Sequence, residues 1–298
     1  MHMQSGSRVI LIIGGGPAGV SCAIQLKRYG LEPVIFEKNE VGGLMKNANL
    51  VENYLGFPEG ISGSEFAQRL KRQIKRFGVK VYFEKVNRLD HNGERFALET
   101  NKQKIGAEIV VIASGTRAIR PLEPKIPEDA RDLVLSEIYP ILDVVDRKIA
   151  IIGAGDAAFD NAKSFAKRND VIILNRGEDV RCLPVLWQTV RNRKVDYRKR
   201  ARVTQVRRVS DGLMLTVEQD SEIRMLNVDY LILAIGREPE LDFLGESVKK
   251  NLENLKEQQK LFMIGDVKNG AYRQVAIATG DGVRTAMEIY RSSQKGDV

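Results

Sequence analysis

Only two cysteines occur in the 298 residues, Cys22 and Cys182, and no Cys-x-x-Cys is present. Such sparse, widely separated thiols offer no disulfide framework, and their usage suits a reducing compartment, so a cytoplasmic location is expected. Histidine is equally scarce. His2 sits in a short N-terminal leader, and His91, in Asp90-His91-Asn92-Gly93, reads as part of a hairpin turn; neither is expected to act as a general acid, and no metal site is expected. No apolar run approaches the ~20 residues of a membrane span. Aromatic residues make up 6% of the chain. The basic stretch from Arg181 to Arg208 contains only Trp187 and Tyr197 as possible base-stacking platforms, which argues against nucleic-acid binding.

Glycine, by contrast, is plentiful, and twelve positions carry two phosphate-binding fingerprints. The first is Gly14-Gly15-Gly16-Pro17-Ala18-Gly19. It follows a β-branched run, Arg8 to Ile13, as expected of a strand buried on both faces. A helical stretch through Val20, Ala23, Ile24, Leu26 and Lys27 comes next, with Gly30 as its C-cap, and then a second strand, Pro33-Val34-Ile35-Phe36, ending at Glu37. The order has a physical reason: Gly14 allows a tight turn, Gly16 lets the backbone approach a pyrophosphate, and Gly19 lets helix and strand pack closely. The phosphates then rest on helical N–H groups. Glu37 stands about twenty residues on, where a carboxylate can accept both hydroxyls of an adenosine ribose.

A second fingerprint, Gly153-Ala154-Gly155-Asp156-Ala157-Ala158, repeats the plan. Its strand is Lys148 to Ile152, its helix is expected over Asp160 to Lys167, and its second strand is Val171 to Leu174. No carboxylate stands at the end of that strand, where Asn175-Arg176-Gly177 is found with Arg181 close by. An arginine there can meet a 2′-phosphate, which favours NADPH over NADH. Two nucleotide cofactors held at once are thus expected. The chain length fits two domains, and the apolar run before Gly14 is strand rather than signal peptide. Met1 to Ser7 is set aside as a leader.

In order and spacing these motifs resemble the low-molecular-weight thioredoxin reductase group of the pyridine nucleotide-disulfide oxidoreductase superfamily. The resemblance covers nearly the whole chain. It rests on both fingerprints, Gly42-Gly43, Val51-Glu52-Asn53-Tyr54-Leu55-Gly56-Phe57-Pro58 with Ile61-Ser62-Gly63, and Val111-Ile112-Ala113-Ser114-Gly115-Thr116. Ala234-Ile235-Gly236-Arg237-x-Pro239, Ile264-Gly265-Asp266 and Arg273-Gln274 complete it. The resemblance implies an α/β fold of two Rossmann-like three-layer domains: a discontinuous FAD domain, residues 1–116 and 239–298, with an NAD(P)H domain, 117–238, inserted. It implies FAD contacts at Gly14, Gly16, Pro17, Ala18, Gly19, Glu37, Lys38, Gly42, Gly43, Leu44, Asn53, Val86, Ala113, Ser114, Gly115, Gly265 and Asp266. Arg273, Gln274 and Val275, at the start of a C-terminal helix, would lie beside the isoalloxazine, and Asn53, Arg273 and Gln274 are the flavin-side candidates. NAD(P)H would meet Gly153, Gly155, Asp156, Ala157, Ala158, Arg176, Arg181, Ile235 and Gly236. A homodimer is also implied.

Two departures matter. The family's His-Arg-Arg-x-x-x-Arg segment reads Asn175-Arg176-Gly177-x-x-x-Arg181 here, so the 2′-phosphate pocket is weakened and NADH remains an alternative. More consequentially, the family's redox dithiol is missing: Leu133 to Asp143 holds no cysteine. Electrons cannot reach thioredoxin through thiols that do not exist. The expected activity is therefore an FAD-dependent NAD(P)H oxidoreductase that passes electrons directly to another acceptor, such as a ferredoxin- or flavodoxin-type carrier, a quinone or oxygen. Ferredoxin-NADP reductase is one known dithiol-free type on this scaffold. The net charge of +8 and the ten Lys or Arg from Arg181 to Arg208 would favour an acidic carrier. The alternatives are a disulfide or peroxide reductase using one cysteine, and a flavin redox sensor. Cys22 reads as a buried helix thiol, while Cys182 lies in a basic stretch that could lower its pKa. Residues 241–260, rich in Lys, Asn, Glu and Gln, replace a longer hairpin region of the family.

Overall fold

Unbroken by any polar side chain, Ile10-Leu11-Ile12-Ile13 forms a strand (β1, Ile10–Ile13) buried along its whole length. The computed structural model describes residues 9–192 and 195–295. Met1 to Ser7, with His2, and Arg8 of the expected first strand lie outside the described residues. The chain divides into two compact units, the first made of the residues up to Lys46, residues 50–117 and those from Glu238 onward, the second of residues 47–49 and 118–237.

In the first unit β1 leads to α1 (Pro17–Arg28), β2 (Pro33–Glu37), α2 (Gly63–Arg76) and β3 (Lys80–Phe83). A three-stranded antiparallel sheet of β4 (Val86–His91), β5 (Phe96–Thr100) and β6 (Lys104–Ala107) precedes β7 (Ile109–Ile112) and β8 (Thr116–Ala118). The second unit contains β9 (Val134–Leu135), β10 (Lys148–Ile152), α3 (Asp156–Phe165), β11 (Asp170–Leu174), α4 (Pro184–Arg191) and β12 (Val195–Arg198). It continues with an antiparallel sheet, β13 (Ala201–Val209), β14 (Gly212–Gln219) and β15 (Glu222–Val228), and then β16 (Tyr230–Leu233). Through β17 (Arg237–Pro239) the chain re-enters the first unit, adding α5 (Glu246–Lys250), α6 (Leu252–Glu257), β18 (Leu261–Met263) and α7 (Val275–Lys295).

Each unit is built on a five-stranded parallel sheet, ordered β18-β7-β1-β2-β3 in the first and β12-β11-β10-β16-β9 in the second. The fingerprint strand is central in both. Successive strands leave it on opposite sides, so a crevice opens at its carboxyl end, the position at which such sheets bind ligands. Side chains alternate across the sheet of the second unit: Ile149 and Ile151 pack on Phe159 and Phe165 of α3, while Ala150 packs toward Leu213, Leu215 and Val217 of β14.

One expectation needs correction. Helix α3 begins at Asp156, four residues before the expected start, because Gly155 is its N-cap and the helix opens inside the fingerprint. Residues 241–260 form the short helices α5 and α6, whose Val248 and Leu255 are buried in the first unit's core.

Candidate functional site

The two fingerprints fold into the same geometry. Gly14, with φ of +111°, sits where a Cβ would come within 2.2 Å of the Ala113 carbonyl oxygen; Gly153, with φ of +143°, sits where one would come within 2.4 Å of that of Ala234. Both alanines follow the strand beside the fingerprint strand, so each first glycine is squeezed against the end of its neighbour, and only glycine tolerates that backbone. The turns are tied alike: Gly14 N–H donates to Phe36 O at 2.8 Å and Gly153 N–H to Leu174 O at 3.1 Å. Behind them, a Cβ on Gly19 would strike Gly14 O at 2.0 Å. The matching Ala158 carries its methyl fully buried.

Around the first turn the structure gathers residues distant in sequence. Gly42 N–H donates to Gly15 O at 2.9 Å, and Gly43 faces Gly16, its Cβ position 3.1 Å from the Gly16 Cα. Side-chain-free backbone thus lines both sides of a cradle beside the N-terminus of α1. The Glu37 carboxylate is buried and accepts the Gly15 N–H at 2.7 Å and the Asn39 N–H at 2.9 Å. Lys38 is ion-paired with Glu240 at 2.6 Å, and Ser114 Oγ donates to Glu240 O at 2.7 Å. Gly115 has φ of +68°. The Val86 side chain points into the core, so its backbone alone is available to a ligand.

Asn53 and Gln274, 221 positions apart, meet directly: Asn53 Nδ2 donates to Gln274 Oε1 at 2.9 Å. The Asn53 loop is closed at its base by mutual Val51 and Ile61 backbone bonds of 2.8 and 3.1 Å. Tyr54 and Phe57 both pack edge-on against Phe66 of α2. Val275 begins α7, directly after Arg273 and Gln274, and Gly265 and Asp266 form the turn after β18.

At the second turn, the Gly155 Cβ direction meets nothing within 4 Å, leaving open space at the N-terminus of α3. Arg181 N–H donates to Ala154 O at 2.8 Å, and Asp156 Oδ1 accepts the Leu183 N–H at 2.7 Å, which fastens residues 181–183 to the fingerprint. Asn175 is buried. Its amide donates to Tyr197 Oη at 2.8 Å and Asp179 O at 3.1 Å, while its oxygen accepts the Gly177 N–H at 2.9 Å. Glu178 is taken by Lys199 at 3.3 Å and Arg200 at 3.0 Å. Arg176 and Arg181 are exposed, and among the described residues neither has an acidic partner. Gly236, with φ of +117°, and Ile235 follow Ala234.

Both cysteines have thiols held protonated. Cys22 is 0% exposed and burial pushes its thiol far up, away from the reactive thiolate. Cys182 corrects an expectation: burial first, and then the neighbouring Asp156 carboxylate, raise its pKa rather than lower it. The basic stretch is also less open than its composition implies, because Arg198, Lys199, Arg200, Arg202 and Arg208 are all ion-paired. Arg193 and Lys194 lie outside the described residues. His91 ends β4, with its Nδ1 accepting the Gly93 N–H at 3.1 Å and its ring edge-on to Phe96. Among the described residues no cluster could hold a metal ion, and no helix is long and apolar enough to cross a membrane.

A family profile described as pyridine nucleotide-disulphide oxidoreductase matches residues 8–282. The mitochondrial thioredoxin reductase 1 of Arabidopsis thaliana is 30% identical over 309 residues, covering 94% of this chain and 82% of that protein. Among solved structures, thioredoxin reductase from Lactococcus lactis aligns with a TM-score of 0.84 at 21% identity, covering 97% of this chain and 100% of the other. That from T. acidophilum aligns with a TM-score of 0.82 at 25% identity, covering 96% and 99%.

Proposed function

The chain belongs to the pyridine nucleotide-disulphide oxidoreductase family and is an oxidoreductase of thioredoxin reductase-like type, and from that premise we propose that it moves electrons from NADPH through FAD directly to an acceptor other than thioredoxin. Residues 1–116 and 239–298 are the FAD domain in this reading, and 117–238 the NADPH domain. The observation that carries it is the absence of a cysteine pair: the two cysteines fall in different units, and Cys22 has no exposed surface.

The residues fit both cofactors. The glycine-lined cradle of Gly14, Gly16, Gly42 and Gly43 leaves room for a pyrophosphate against the α1 N-terminus, and the open side of Gly155 does the same at α3. Glu37 would exchange a backbone bond for the adenosine ribose, Asp266 would bind the ribityl chain, and the Asn53–Gln274 pair would orient the flavin ring. The N-terminus of α7, at Val275, would favour negative charge there. When bound, FAD supplies the electron-transfer chemistry between nicotinamide and acceptor.

The preference for NADPH is supported by the uncommitted guanidiniums of Arg176 and Arg181. Of the two nearby acids, Glu178 is already neutralised by Lys199 and Arg200, while the Asp179 carbonyl is bound by the Asn175 amide. For the acceptor, an acidic ferredoxin- or flavodoxin-type carrier, a quinone and oxygen all fit direct exit at the flavin, and a cytoplasmic setting fits the scarce thiols. A homodimer is part of this reading through the family resemblance.

Anaerobic titration followed at the flavin absorbance tests the reading. Bleaching by NADPH at lower concentration than NADH is expected, with electrons then passing to ferricyanide or a quinone and none to added thioredoxin. Failure of both nucleotides to bleach the flavin would leave only a redox sensor.

A further inference from the structure

One half-buried carboxylate has no part in the cofactor contacts above. Asp281, on α7, accepts from the Gly265 N–H at 3.0 Å and from Asn269 Nδ2 at 2.8 Å through one oxygen, and its other oxygen faces Lys268 Nζ at 3.4 Å. Its side chain is only 12% exposed. Burial acts to raise its pKa, but the hydrogen bonds from Asn269 and Gly265, with Lys268, outweigh it and hold the carboxyl below its ordinary range. All three partners lie in the single turn that carries Asp266.

That turn is wedged as well as bonded. Gly265, with φ of +72°, sits where a Cβ would come within 2.9 Å of the Ala18 methyl and 3.7 Å of the Ala278 methyl. Ala18 belongs to the first fingerprint, and Ala278 lies one helical turn before Asp281. The residue after Asp281 makes the same junction from the other side: a Cβ on Gly282 would lie 2.4 Å from Ala18 O and 2.8 Å from Cys22 N. Helices α7 and α1 therefore touch backbone to backbone, and Ser21 Oγ adds a bond to Thr279 O at 2.9 Å. One short stretch of α7 thus abuts the fingerprint helix with Gly282 and grips the Gly265 turn with Asp281.

We propose that Asp281 is a positioning residue for the flavin site, holding the Gly265–Asp266 turn in register with the glycine cradle of the first fingerprint. The proposal rests on the reading that the first unit binds FAD. Asp281 touches no cofactor in this account; it acts through the turn, and its effect is on how well that turn is organised before FAD arrives.

The test compares wild type, Asp281→Ala and Asp281→Asn, each stripped of FAD and titrated with it. Flavin fluorescence gives affinity, visible circular dichroism gives the ring environment, and melting of the apoprotein gives stability. Asp281→Ala removes a charge-assisted acceptor and is expected to weaken FAD about 10- to 100-fold and alter the visible dichroism. Asp281→Asn keeps an acceptor for the Gly265 N–H without the charge and is expected to weaken FAD about 3- to 10-fold. Either folded variant binding FAD as tightly as wild type overturns the proposal, as do losses that follow apoprotein melting instead of this order. Should Asp281→Ala fail to fold, Asp281→Asn alone decides. A wild type that binds no FAD overturns the flavin reading and the proposal together, whereas an indifferent variant of an FAD-binding wild type overturns the proposal alone.

Discussion

At the ends of their second strands the two fingerprints differ by one residue type, and the proposed preference for NADPH rests on it. Glu37 presents a buried carboxylate to its glycine turn, while Asn175 turns its amide inward to Tyr197 and Asp179 and presents no charge. In the proposed reading, recognition at the second site falls to Arg176 and Arg181. Replacing either with Ala is expected to weaken NADPH about tenfold, near the lower end for a charge-assisted hydrogen bond, and to leave NADH nearly unchanged; calorimetric titration of both nucleotides checks this. Equal loss for the two nucleotides would mean that the arginines hold the pyrophosphate instead. The geometry of the two turns was legible because the glycines and Glu37 stand at fixed offsets from recognisable strands. Asp281 was not legible, since nothing in its sequence surroundings marks a carboxylate that reaches back sixteen residues to Gly265. The Asn53–Gln274 bond joins segments that only the folded chain brings together, although resemblance had marked both residues.

Strands such as β1, β2, β10 and β11 announce themselves through β-branched runs, because a strand buried on both faces cannot afford polar interruptions. Helices α5 and α6 could not be read, as they bury only Val248 and Leu255 among charged neighbours and show no sustained period. A demanding junction between elements is that of α1 with α7, where Gly282 leaves no room for a Cβ against the Ala18 carbonyl. Both atoms in the way, Ala18 O and Cys22 N, are backbone, so neither can rotate aside. Gly282→Val should force the helices apart and cost about 1–3 kcal/mol or more, the usual range for overpacking, with FAD affinity falling alongside. Thermal melting of the apoprotein and an FAD titration measure the two effects. An unchanged melting temperature would mean that the helices separate without cost and that their close approach is incidental.

Across the whole molecule, the decisive property is what happens to electrons once they reach the flavin. Thiol relay requires two sulfurs within bonding distance or one reactive thiolate in reach of substrate. Here one thiol, Cys22, is fully buried on α1, and the other, Cys182, sits in the second unit with its pKa raised by burial and by Asp156. A chain without sulfur chemistry should therefore work as well as the natural one. The double variant Cys22→Ala, Cys182→Ser is expected to retain NADPH-dependent reduction of ferricyanide within about twofold of wild type, too small a change to represent lost transition-state stabilisation. Cys22 fills a packed position, so flavin content must be measured and rates expressed per bound FAD. On that basis, a fall of tenfold or more would show that a thiol carries electrons, and direct exit from the flavin would have to be abandoned. An undiminished rate would support direct exit of electrons from the flavin.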